Sequence, residues 1–330
     1  MAPKIKQTTR RQGLATRAST SSARQPPPAQ NQSFFDSCFR DTRARERFTT
    51  IYARMPIQQC RVIDFPFLRS INYPYLQTFD TFGWTKILSL NVPVRENLVR
   101  AFFSNASLVV DDHDNVIAIR SYLLGRDLMV NRASLASAFG FPNEGAINEG
   151  SGPAALRTPH NKATLLSPVD CLLHLILSHV LRPYGTKHTV LSDPDYWWLH
   201  MIQSGTRPNL AYFIFADLVL CVRGCHSLLH GMALSYFFET QGLDLSCDPG
   251  IMVTSYRYIG RKSMGLAGYE IQGEEFVPKA HRQPPLEQPD ALAPDDIDEL
   301  EHDEPLPPPP PPAPMDIPTM FTSIMNRFDT

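Results

Sequence analysis

Apolar residues recur at helical spacing through most of the chain and alternate in one short stretch. In 94–103, Val94, Leu98, Val99, Phe102 and Phe103 fall on one face of a helix. Residues 73–82 read as a second short helix. Residues 107–111 and 116–121 read instead as two strands. Between them, Asp112-His113-Asp114-Asn115 tolerate a tight backbone, which predicts a β-hairpin. Asn131 stands as the N-cap of a helix reaching Phe139, with Gly140 as its stop and Pro142 beyond.

Residues 143–162 are rich in glycine and proline and poor in apolar side chains, so they read as a loop or a boundary between subdomains. The chain then turns helical. Ser167-Pro168-Val169-Asp170 combines a cap, a first-turn proline and an acid at the positive helix end. Leu172, Leu173, Ile176, Leu177, Val180 and Leu181 follow as one wide apolar face. Residues 208–222 and 226–238 predict two more helices, with Gly224 allowing a bend between them, and 256–259 with 269–271 predict a last hairpin. The expected fold is α+β and predominantly helical, with a mixed first half, a helical bundle in the second half, and disordered termini.

Charge divides the chain more sharply than its net value of −2 suggests. Residues 1–30 carry Lys4, Lys6, Arg10, Arg11, Arg17 and Arg24 and no acid. Residues 284–330 carry eleven acids and one base, Arg327, which leaves 24 bases and 22 acids for 31–283. The expected organisation is a disordered basic arm (1–33), a folded region (34–283) and a disordered acidic, proline-rich tail (284–330). The six lysines and arginines of the arm are the candidate contacts to nucleic acid, although a solvated tail has the same composition. In the tail, the prolines at 307–312 favour an extended left-handed helix. That helix would serve as a stiff spacer or as a ligand for a proline-recognition domain.

Six cysteines spread thinly through a long chain, and an N-terminus without an apolar segment, point to free thiols in a reducing, intracellular compartment. Nucleus and cytoplasm stay equally open. Lys4-x-Lys6 with Arg10-Arg11 is a minimal import signal. The longest apolar run, 210–222, is interrupted by Asp217 and falls short of the roughly 20 residues that span a bilayer, so it reads as a buried helix and no membrane partner is expected.

The order of landmarks across residues 47–141 is distinctive. Arg47-Phe48 comes first, then an aromatic-rich stretch ending in Phe82-Gly83-Trp84, then the helical 94–103. The apolar runs 108–110 and 116–119 follow, then Gly125-Arg126-Asp127-Leu128, then Leu135-Ala136-Ser137-Ala138-Phe139-Gly140-Phe141-Pro142. This succession resembles the plant transposon protein family and, more loosely, the first open reading frame of Athila-type plant retrotransposons. The likeness covers roughly residues 45 to 245, with 168–181, 193–202 and 207–222 fitting the second half of such proteins. It implies descent from a plant mobile element. Its motifs are apolar and aromatic patterns, so it brings no catalytic residues and no cofactor.

The chain lacks the short motifs of retroelement enzymes. It has no Asp-Thr-Gly or Asp-Ser-Gly of an aspartic protease, no zinc knuckle of the Cys-x2-Cys-x4-His-x4-Cys type, and no phosphate-binding Gly-x4-Gly-Lys-Ser/Thr loop. The best metal candidate is Cys221-x3-Cys225-His226-x3-His230, since thiolates and imidazoles are preferred zinc ligands, although its apolar setting equally suits inert buried thiols. Asp170, His174 and Ser178 have the composition of a hydrolase triad, but a stripe on one helix lacks triad geometry and reads as a polar seam. Asp170, Asp195, Asp217 and Glu239 could supply the metal-binding carboxylates of a transposase or nuclease. Asp217 lies within an apolar helix and needs a partner there, for which Arg223 or Arg207 is the simple expectation. The aromatic clusters Phe34-Phe35, Tyr73-x-Tyr75, Tyr196-Trp197-Trp198 and Tyr236-Phe237-Phe238 could stack on bases, but without interleaved basic residues they read as core.

Three function classes follow. The first is a Gag-like, self-associating protein that touches nucleic acid. The second is a metal-dependent transposase or nuclease. The third is a domesticated adaptor acting through its proline tail.

Overall fold

The computed structural model describes residues 37–150, 152–183, 189–272 and 275–278. The arm residues Lys4, Lys6, Arg10, Arg11, Arg17 and Arg24, the Phe34-Phe35 pair, the acidic run and the proline run all lie outside them. The described fold is mixed α and β and mainly helical.

Asp41 opens the first helix, α1 (Thr42–Thr50), by accepting a hydrogen bond from the Ala44 N–H at 2.8 Å. Such a cap contributes about 1 kcal/mol. Strand β1 (Val62–Ile63) and three short helices follow: α2 (Phe65–Ser70), α3 (Leu76–Thr81) and α4 (Thr85–Leu88). Helix α3 is shorter than the 73–82 expected, because Tyr73 and Tyr75 precede the helical turn. Helix α5 (Glu96–Asn105) lies at the centre of this half, with Leu98, Val99, Phe102 and Phe103 fully buried. Burying each such side chain contributes about 1.5–3 kcal/mol, so the helical spacing of those four residues fixes the face that turns inward.

The expected hairpin forms from β2 (Ser107–Val110) and β3 (Val116–Leu123), paired antiparallel with Leu108 opposite Ile119. A third strand, β4 (Arg126–Val130), pairs with the far side of β3 and was not anticipated. The sheet lays its Ile119 and Ser121 face on α5, where the Ser121 hydroxyl donates to the Phe102 carbonyl at 2.7 Å. Helix α6 (Arg132–Phe139) starts at Asn131, which accepts from the Ser134 N–H at 2.8 Å, and stops at Gly140 with φ 75°. That left-handed conformation is open to glycine at no steric cost.

Residues 143–162 hold only single helical turns, yet they are tied to the second half: Ala146 bridges to Pro208 and Lys162 to Val190. Helix α7 (Pro168–Ile176), capped by Ser167, runs into a wider π-helical turn, Leu177–Leu181. Helices α8 (Asp193–Gln203), α9 (Leu210–Arg223) and α10 (Gly231–Thr240) complete the helical second half. The aromatic cluster 196–198 is buried, with Trp198 edge-on to Phe213 at 4.9 Å and 6.0 Å from Trp84. Phe237 and Phe238 are also buried, and Phe238 reaches Phe102 at 5.5 Å. These aromatics pack the core and present no stacking platform.

Two expectations fail. The helix expected over 226–238 begins only at Gly231, since His230 takes a left-handed φ of 56° and 226–229 are not helical. The last hairpin does not form. Strand β5 (Tyr258–Ile259) pairs parallel with β1 instead. Helix α11 (Arg261–Leu266) intervenes, and β6 (Tyr269–Gln272) pairs with β7 (Glu275–Pro278). Local pattern identified the segments as strands but could not supply their partners. Among the described residues, no helix is long and apolar enough to cross a membrane.

Candidate functional site

Two groups of titratable side chains stand out, one among the second-half helices and one exposed at the start of the folded chain. Of the second-half residues singled out from the sequence, Asp217 and His230 are brought together, while His226 and Glu239 are exposed.

Asp217 is fully buried and its Oδ2 lies 2.7 Å from Nε2 of His230, itself 5% exposed. The expected arginine partners are not used: Arg207 pairs with Glu144 at 2.7 Å, and Arg223 is exposed at the end of α9. Helix α9 ends at Gly224, with φ 120°, and the loop to α10 brings His230 back against the acid.

The proposed metal ligands are divided by the same turn. Cys221 is buried and accepts from the Leu229 N–H at 3.5 Å, while the Cys225 thiol donates to the Ser227 carbonyl at 2.8 Å. Burial drives the Cys221 thiol well above its ordinary range, and a hydrogen bond between the two thiols holds Cys225 below it. His226 is exposed and His230 is engaged by Asp217. Among the described residues, no three His, Cys, Asp or Glu side chains are placed to hold a metal ion.

The polar stripe of α7 is likewise dispersed. Asp170 accepts from the Tyr75 hydroxyl at 3.1 Å, the Gln203 amide at 2.8 Å and the Ser167 hydroxyl at 2.7 Å. Burial, reinforced by this carboxylate, pushes the Tyr75 phenol up to about 12. His174 Nε2 is 4.0 Å from Asp195 Oδ1, and burial holds the imidazole below its usual range despite that acid. The Ser178 Oγ is buried without a hydrogen-bond partner. Asp195 also caps α8 through the Ser192 N–H and hydroxyl, and Glu239 is exposed. These four acids do not converge as a two-metal site requires.

Sequence reading missed Glu149. Its carboxylate accepts from the Trp198 indole at 2.7 Å and pairs with Arg182 at 3.1 Å, and burial raises its pKa in spite of that arginine. A small cavity of about 30 Å³ lies beside His230, with Cys60, Arg61 and His179 on its walls. It has room for about one water molecule and none for a substrate. Burial pushes the Cys60 thiol up to about 11, so at neutral pH it is protonated and a poor nucleophile.

The exposed group is different. An open cavity of about 640 Å³ sits where α1 meets the end of α5 and the edge of the sheet. Arg40, Arg43 and Arg47 line one wall, Arg120 of β3 another, and Ser104 to Ser107 the floor. Arg43 and Arg47, four residues apart, share one face of α1, and Arg40 precedes its cap. The register of β2 with β3 sets Arg120 directly opposite Ser107, at the lip of the cavity.

The four arginines have distinct tasks. Arg47 donates to the Ala106 carbonyl at 3.2 Å and the Phe103 carbonyl at 3.5 Å, closing the negative end of α5, and lies over the Tyr52 ring. Arg40 pairs with Asp127 and lies over Tyr122, with both charges of that pair well exposed. Arg43 and Arg120 are exposed, and neither makes a side-chain hydrogen bond or salt bridge among the described residues. The one acid in the lining, Asp41, is engaged as the cap of α1. The cleft therefore holds a surplus of positive charge, presented as planar forks that fit phosphate or carboxylate. In the sequence, the run Arg40-x2-Arg43-x-Arg45-x-Arg47 was visible, but Arg120 joins it only through strand pairing.

No family model, no curated protein and no solved structure matches this chain.

Proposed function

We propose that the protein derives from a plant transposable element and has a Gag-like role inside the cell. It self-associates through its folded region and associates with nucleic acid, and this role needs no catalytic site. The observation that carries the reading is the arginine cleft. It opens at the first described residues of the folded chain, just beyond the basic arm that holds Lys4, Lys6, Arg10, Arg11, Arg17 and Arg24. Arm and cleft are near neighbours in sequence and both carry a surplus of basic residues, while residues 284–330 carry eleven acids and one base. Such a layout favours a polyanion at the first end and disfavours it at the second. The resemblance to plant transposon proteins supplies the element origin.

Light scattering of the purified chain, with and without single-stranded RNA, tests the proposal. The expected result is a mass that rises with RNA and does so less when residues 1–30 are removed. A monomer indifferent to RNA would end this reading.

A further inference from the structure

We infer that the cleft is a binding site for the phosphodiester backbone of single-stranded nucleic acid, with Arg43 and Arg120 as its direct phosphate ligands and Arg40 as a third that leaves Asp127 to join them. The inference rests on the nucleic-acid reading above and deepens it, since the arm alone could satisfy that reading.

Four observations carry it. The first is available charge. Arg43 and Arg120 come from separate elements, reach the same cavity, and have no partner among the described residues. Each offers up to five N–H donors in a fixed plane, which suits phosphate oxygens two at a time.

The second is a low barrier to recruiting Arg40. Its guanidinium is 45% exposed and Asp127 is 69% exposed, so their ion pair is the solvent-screened kind that adds little. A phosphate in the cleft competes with Asp127 on favourable terms. Arg47, held by two carbonyls at the end of α5, stays in place and contributes field alone.

The third is shape. The cavity is concave and of a size typical of small-ligand sites. A duplex carries its phosphates on stiff convex ridges that do not enter such a hollow, whereas a single strand bends into it.

The fourth is the lining itself: among the described residues no aromatic side chain lines the cavity. Those residues offer bases no ring to stack on, so the cleft contacts the backbone without preference among bases.

Fluorescence anisotropy of labelled oligouridine and oligoadenosine, titrated across salt concentrations, tests the inference with the full chain. The comparison set is the Arg43→Ala/Arg120→Ala double variant, the Arg43→Lys/Arg120→Lys pair, and the chain without residues 1–30. Both arginines are exposed, so circular dichroism should be unchanged. The alanine variant is expected to bind both oligomers about tenfold more weakly and to lower the slope of log K against log salt by about 1.4, or roughly 0.7 for each phosphate left unneutralised. The lysine pair should keep the slope.

If the alanine variant binds like the full chain while removal of residues 1–30 abolishes binding, the cleft assignment fails and the wider reading survives through the arm. If the full chain binds neither oligomer, both fail. Equal affinity for a duplex, or displacement of the oligomer by a nucleoside triphosphate at comparable concentration, would also overturn the single-strand assignment.

Discussion

The buried polar centre and the arginine cleft both concentrate charged side chains and differ in what those side chains have left to give. In the centre, Asp217 faces His230 at 2.7 Å, Glu149 faces Arg182 at 3.1 Å, and Asp170 accepts three hydrogen bonds. Each charge meets its partner within the fold, as a low-dielectric interior requires. In the cleft, Arg43 and Arg120 face solvent without partners among the described residues. The centre has the richer chemistry by residue type, with histidines, acids and cysteines, and it holds the triad-like stripe and Asp217. The charge of the cleft is mostly arginine, and Asp41, the acid in its described lining, caps α1. Function is better sought where polar groups remain unsatisfied than where they are most varied.

If that contrast is right, cutting the buried network should cost stability, and cutting the cleft should cost binding alone. The largest effect is expected at Asp217. Asp217→Ala leaves a buried imidazole without its hydrogen-bond partner, which should lower unfolding free energy by about 1–3 kcal/mol. Urea denaturation measures this. Arg43→Ala in the same experiment should stay within about 0.5 kcal/mol of the parent, as exposed substitutions do. Equal losses in the two variants would dissolve the distinction between the regions.

The same contrast explains what the sequence disclosed. Helix α6 was legible to its ends, because Asn131 and Gly140 act through their own neighbours. The face of α5 was legible from spacing, since burial of Leu98, Val99, Phe102 and Phe103 is periodic. The β2–β3 hairpin was legible because its turn residues adjoin its strands. Pairings set by distant segments were hidden. Strand β5 joins β1 across most of the chain, and β4 begins with the charged pair Arg126 and Asp127, which breaks the apolar alternation of a strand. Asp217 was recognised as needing a partner, but His230 qualifies only because α10 starts late and the preceding loop folds back. Arg43 and Arg47 share a helical spacing, Arg40 precedes the cap of α1, and Arg120 is added by strand register.

A smaller effect, dependent on pH, should mark His174. Burial depresses its pKa, and Asp195 at 4.0 Å only partly opposes that. The folded protein keeps the ring neutral where the unfolded chain protonates it, so the unfolded state binds more protons and stability rises with pH. The contribution is complete above the unfolded value of about 6.5 and is lost as pH falls through and below it, at up to about 1.4 kcal/mol per pH unit. Glu149 acts in the opposite sense: its raised pKa costs stability above the usual carboxylate range and the cost is relieved on acidification. Urea midpoints at about pH 7.5 and about pH 5.5 should therefore separate His174→Gln from the parent, the variant losing less on acidification. An identical loss in both would show that His174 titrates alike in the folded and unfolded chain.

The smallest effect has the opposite sign and probes one gap in the buried network, where Ser178 Oγ, like Arg182 Nε, has no hydrogen-bond partner. The Ser178 hydroxyl lies in the π-helical turn after α7, buried and without a hydrogen-bond partner. A hydroxyl so placed has surrendered its hydration for nothing in return, and its removal should relieve that penalty. Alanine also favours helical backbone more than serine does. Against these gains stands the void left by one oxygen atom. Ser178→Ala should therefore raise stability by up to about 1 kcal/mol, read as a higher urea midpoint with an unchanged denaturant slope. A loss of stability would mean that Ser178 is hydrogen-bonded in solution. The centre would then have one gap fewer, and its contrast with the cleft would be sharper.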